Sequence, residues 1–281
     1  MRWEDDRRSD NVEDRRGMSV SRGVIGGGIG TVVLVLLALY FGIDPSVVLQ
    51  SVPSGPPAAT TQQSQRPEKD PLADFVSVVL ADTEDTWHDI FRRHGRTYQE
   101  PKLVLFSDSV QSACGFAEAA MGPFYCPQDQ RVYIDLRFYR DLKDRFKAPG
   151  DFAQAYVIAH EVGHHVQNLM GITAKVQEAQ SQSSRVEANR ISVRVELQAD
   201  CFAGVWAHHA DKARHILEAG DLEEALNAAS AIGDDRLQRQ TRGVVVPDAF
   251  THGTSEQRVQ WFKRGIETGD FEQCNTFKAN R

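Results

Sequence analysis

Between Asp74 and His94 the apolar residues Phe75, Val78, Val79, Trp87, Ile90 and Phe91 return at helical spacing, which predicts an amphipathic helix ended by Gly95. Leu103 to Phe106 is a short unbroken apolar run, and Arg131 to Leu136 is rich in β-branched and aromatic residues; both read as strands. The stretch between them, Ser112 to Pro127, is crowded with turn residues. From Phe152 to Leu169 the pattern is that of a largely buried helix, and Ile191 to Ala210 resumes helical spacing through Val193, Leu197, Phe202, Val205 and Trp206. Further helices are expected over Lys212 to Ala219 and Leu222 to Gln238, the second interrupted near Ile232 to Asp235. Strands early and helices late predict an α+β domain with a small sheet. The strand at Arg131 to Leu136 is expected either as an edge on which an extended peptide adds or as an interior strand.

Ahead of this domain the pattern changes twice. Residues 1–22 alternate charges with almost no apolar content and are expected to be a disordered tail. Gly23 to Ile43 then carries no charge and is long enough to cross a membrane as one helix, a secretory signal peptide being the rival reading. Asp44 to Pro71, rich in Pro, Ser, Thr and Gln, reads as a flexible linker, so the folded domain covers 72–281. Arg2, Arg7, Arg8, Arg15, Arg16 and Arg22 precede the apolar run and no Lys or Arg follows it until Arg66. By the positive-inside rule, the expectation is a single-pass membrane protein with a cytoplasmic tail and an extracytoplasmic domain.

Composition narrows the partners. A net charge of -7 without a basic cluster in the domain excludes nucleic acid. The four cysteines, Cys114, Cys126, Cys201 and Cys274, all lie downstream of the apolar run, as disulfides in an oxidising compartment would. Cys114 with Cys126 is the plausible local bridge, leaving Cys201 with Cys274, although spacing alone leaves the connectivity open. Nothing in the sequence sets the oligomeric state.

The chemistry concentrates in Ala159 to Val166. His160 and His164 lie one turn apart on one helix face, where two imidazoles reach one metal ion, and Glu161 sits beside the first as a base for metal-bound water. A third histidine at the extended spacing is absent, because Gln167 and Met170 hold the required positions. Glu196 on the later helix would complete the ligand set, and Asp200, one turn on, would accept the free ring N–H of a ligating histidine. A solvated acidic helix face is the bland alternative, disfavoured by the apolar neighbours of both carboxylates.

His160-Glu161-x-x-His164 followed by Glu196-x-x-x-Asp200 resembles the gluzincin zinc peptidases. The wider set GPFYCP (122–127), VIAHEVGHHVQ (157–167), ELQADCFAG (196–204) and FTHGTSEQR (250–258) is similar to the bacterial neutral zinc metallopeptidase family, over nearly all of Leu72 to Phe277. The resemblance implies a zincin-like domain, Zn2+ as cofactor, membrane anchoring and a protein or peptide substrate. The segment from Thr251 is similar in position to the His-Pro segment of membrane zinc proteases, with Gly253 in place of proline, which makes His252 a candidate for holding the oxyanion. Thr254 or Ser255 is expected to cap the helix that follows. Tyr125 and Tyr133 are alternative oxyanion donors. The expected function is zinc-dependent peptide hydrolysis with Glu161 as general base; the alternative is a zinc-stabilised, non-catalytic binding or scaffold domain.

Overall fold

The computed structural model describes residues 1–17 and 70–278. A four-stranded sheet runs in the order β1 (Val12–Asp14), β2 (Lys102–Phe106), β6 (Arg131–Asp135), β5 (Phe124–Cys126). β1, β2 and β6 are parallel, and β5 is antiparallel to β6. Leu103 to Phe106 and Val132 to Asp135 are buried on both faces, as strands covered on both sides must be. The strand from Arg131 is therefore interior, and β5 forms the edge. A separate antiparallel hairpin joins β3 (Ser109–Ser112) to β4 (Gly115–Glu118). Hairpin and edge strand together occupy the stretch that read as turns; runs of three or four residues are too short to show a periodicity.

The helices are α1 (Pro71–Arg93), α2 (Arg137–Asp144), α3 (Asp151–Leu169), α4 (Ile172–Ser181), α5 (Arg185–Arg214), α6 (Asp221–Ala231), α7 (Asp234–Arg242) and α8 (Ser255–Thr268). The mixture is α+β, consistent with a zincin-like domain. α3 is central: Phe152, Ala155, Tyr156, Ile158, Val162 and Val166 are buried, and it packs on α1, α5 and α6. Helices α3 and α5 approach closely at Gly163, where an added Cβ would stand 3.0 Å from the Ala199 carbonyl oxygen. α8 lies on α5 through two further glycines, since a Cβ on Gly204 would meet the Phe262 carbonyl at 2.2 Å and one on Gly265 the Cys201 carbonyl at 2.0 Å. Both favoured disulfides are formed: Cys114–Cys126 ties the hairpin to β5, and Cys201–Cys274 ties α5 to the segment after α8. No separate helix begins at Lys212. α5 continues to Arg214 and stops where His215 turns left-handed at φ 54°.

The N-terminal tail requires a correction. Residues expected to be disordered instead form part of the domain: β1 pairs with Leu103 to Leu105, and Trp3 packs edge-on against Phe75. The alternating charges are matched to acids across the fold, Arg7 with Glu84 and Asp85, Arg8 with Asp74, and Arg16 with Asp70. Ser9 and Asn11 add hydrogen bonds to Glu84. Composition registers the charges but not their distant partners, and so it misread order as disorder. A strand hydrogen-bonded to β2 stands on the same side of any boundary as the domain containing β2, so a cytoplasmic tail and an extracytoplasmic domain across one span cannot both hold. Among the described residues no helix is long and apolar enough to cross a membrane. The single-pass assignment is therefore withdrawn. The run Gly23 to Ile43 and nearly all of the expected linker lie outside the described residues.

Candidate metal centre

The close approach at Gly163 and Ala199 puts the turn holding His160 and His164 directly against the turn holding Glu196 and Asp200. Donor atoms of His160, His164 and Glu196 lie within 4.8 Å of one another. His160 Nε2 is 3.1 Å from one Glu196 oxygen, and His164 Nε2 is 3.4 Å from the other. Donors placed about 2.0–2.1 Å from one tetrahedral zinc stand roughly 3.3 Å apart, so the set fits such an ion.

The outer nitrogens decide which ring atoms face inward. His160 Nδ1 lies 2.9 Å from Asp200 Oδ1, the position expected for that carboxylate, and His164 Nδ1 lies 2.9 Å from Gln167 Oε1. Each acceptor takes the Nδ1–H, which leaves Nε2 of each ring turned towards Glu196. Two ring nitrogens and a carboxylate brought this close need positive charge between them, supplied by a metal ion or, in its place, by protons on the two nitrogens. Burial by itself would depress His160, but the charge and hydrogen bond of Asp200, with Glu196, lift it to about 10. For Glu196 burial works upwards, and the charge of His164 together with hydrogen bonds from both imidazoles pulls it far below the usual carboxylate range. Both shifts show a site that attracts positive charge.

These residues open onto a cleft of about 820 Å³, lined also by Glu161, His252, Tyr125 and Phe138. Burial pushes the Glu161 carboxyl up against the downward pull of the two histidines. His252 is exposed in the cleft and rests on Asp234: Asp234 Oδ2 accepts the backbone N–H groups of Thr251, His252 and Gly253, and Oδ1 lies 3.3 Å from His252 Nδ1. The hydrogen bond to Asp234 raises the imidazole's pKa above its ordinary value. Gly253 has φ 90°, which proline cannot adopt, so the likeness to a His-Pro segment ends at the histidine. Thr254 caps α8, its side chain and that of Gln257 closing a capping box.

The two tyrosines are already committed. His165 Nε2 donates to the Gln99 carbonyl at 2.6 Å, so its Nδ1 accepts, and the Tyr125 hydroxyl at 2.9 Å must donate to it. Burial keeps that imidazole neutral, at about 4. Tyr133 donates to Asp129 at 2.7 Å.

Four contributors carry no assigned place in the centre on sequence grounds. Arg258 and Tyr156 both bond Asp200, Gln167 orients His164, and Gln198 accepts from Gln167 at 3.1 Å while donating to the Cys274 carbonyl at 3.0 Å. A signal existed for two of them. Gln167 follows His164 by one turn on its own helix, and Arg258 falls on the stripe that Phe262 and Gly265 bury.

A family described as "Putative neutral zinc metallopeptidase" matches residues 1–277, a span that includes the N-terminal segment. The chain is 54% identical over 288 residues to "Uncharacterized protein YpfJ" of Escherichia coli, covering 99% of each chain. It is 38% identical over 255 residues to "Uncharacterized protein Rv2575" of Mycobacterium tuberculosis, covering 86% of this chain and 85% of that one. No solved structure matches it. The chain belongs to this zinc metallopeptidase family.

Proposed function

We propose that this member of the zinc metallopeptidase family hydrolyses peptide bonds of a protein or peptide substrate laid in the cleft, with zinc held by His160, His164 and Glu196. The reading rests above all on one observation: three donors at coordination spacing share an open cleft with a fourth group, the Glu161 carboxylate. When bound, zinc supplies Lewis acidity, polarising the scissile carbonyl and lowering the pKa of a water towards neutrality. Glu161, its proton affinity raised by burial, takes the proton of the attacking water and delivers it to the leaving amine. His252, braced at Nδ1 by Asp234, donates from Nε2 to the oxyanion, a contribution of about 3–4 kcal/mol for such a donor. Tyr125 has its hydroxyl hydrogen engaged by His165 and serves as a wall of the cleft. A purely structural zinc domain would have no use for a carboxylate at Glu161.

The test is Glu161→Gln in the full chain. Zinc content should stay near one per chain while turnover of a peptide library falls by at least about 100-fold. Wild-type turnover in that variant would remove Glu161 from its role, and a zinc-free wild-type protein would remove the metal centre.

A further inference from the structure

Arg258 stands four residues into the last long helix, yet its guanidinium is 2% exposed and its partner Asp200 is fully buried. The fork is bidentate, Nε on Asp200 Oδ2 at 2.8 Å and Nη2 on Oδ1 at 2.8 Å, while Nη2 also reaches the Tyr156 hydroxyl at 3.2 Å. Taking two charges out of water is costly, and an apolar pair of the same volume would dock α8 at least as well. Docking is already provided elsewhere: the Gly204 and Gly265 contacts bring the backbones of α5 and α8 together, Phe262 is buried between them, and Cys201–Cys274 closes the far end. Tyr156 holds Oδ1 at one point; what the guanidinium adds is a second point, on Oδ2, and with it the plane of the Asp200 carboxylate. Both oxygens are fixed by the fork, so Oδ1 is held facing His160 Nδ1.

We propose that Arg258 is a positioning residue for the metal centre, acting through Asp200 to aim the His160 ring at the ion. The proposal rests on the metal-centre reading given above. It makes α8 part of the site although no atom of α8 is a ligand. Ion binding and the docking of this helix near Arg258 are therefore coupled, and each strengthens the other.

The experiment measures zinc affinity of the full chain by chelator competition, together with the visible absorption of the cobalt-substituted protein, for Arg258→Met and Arg258→Lys. Arg258→Met should weaken zinc binding by about 10- to 100-fold and alter the cobalt spectrum, as loss of an outer support does. Arg258→Lys, a point charge without the planar fork, should recover only part of the affinity. Should Arg258→Met fail to fold, Arg258→Lys, which keeps the buried positive charge, carries the test alone and should still bind zinc more weakly than the wild type. Wild-type affinity and spectrum in these variants, with only a lower melting temperature, would make Arg258 a structural residue and overturn the proposal. A wild-type protein that binds no zinc would overturn the proposal and the metal centre together, which separates the two failures.

Discussion

The two imidazoles of the centre are held by supports of opposite character. Behind His160 stands a buried charged assembly of Asp200, Arg258 and Tyr156, drawn from α5, α8 and α3. Behind His164 stands a chain of neutral amides: Gln167 on the same helix, then Gln198, then the carbonyl of Cys274. The charged support is strong in its low-dielectric surroundings but costly to leave incomplete, because removing one ion strands the other. The amide support is weaker, and each member is self-sufficient, since Gln167 also bonds the Val195 carbonyl. The lesson is that two imidazoles placed alike need not have equal tolerance to change.

The comparison breaks most visibly at Asp200. Asp200→Ala leaves Arg258 buried without its counter-ion and should cost the metal-free protein about 3–5 kcal/mol in urea unfolding. A loss below about 1 kcal/mol would mean that water or another acid already compensates Arg258. On the amide side, Gln167→Leu removes one neutral hydrogen bond worth about 0.5–1.5 kcal/mol, so zinc affinity should fall by less than about tenfold in the same chelator assay. An equal loss in Gln167→Leu and in Asp200→Asn would erase the asymmetry. The smallest effect is expected at Asp234, an acidic support under an imidazole that is open to solvent. Asp234 raises the pKa of His252, so the donating imidazolium persists to higher pH than it would without that carboxylate and is lost as pH rises through the raised value. Asp234→Asn should shift the alkaline fall of activity to lower pH; an unmoved limb would mean that His252 is not the group titrating there.

Much of the centre was legible before any fold was known. His160, Glu161 and His164 share one helical turn, and Glu196 and Asp200 share another, so helical period alone puts each set on one face. By contrast Arg258 stood only as the last residue of the stretch FTHGTSEQR, and Gln167 only as a residue that was not glycine. The tail was the largest misreading: Arg7, Arg8 and Arg16 were counted as a membrane orientation signal, whereas their partners Glu84, Asp74 and Asp70 lie more than fifty positions away in the chain.

The sequence by itself determined which residues could coordinate an ion and where the helices carrying them run, because helical period and ligand chemistry are local. Only the tertiary structure decided which charge meets which: the pairing of Asp200 with Arg258, the placement of Asp234 under His252, and the addition of Val12 to Asp14 to the sheet. The reason is physical. A charged or hydrogen-bonding side chain is satisfied by any complementary group within a few ångströms, and chain separation carries no information about which group the packed helices will bring there.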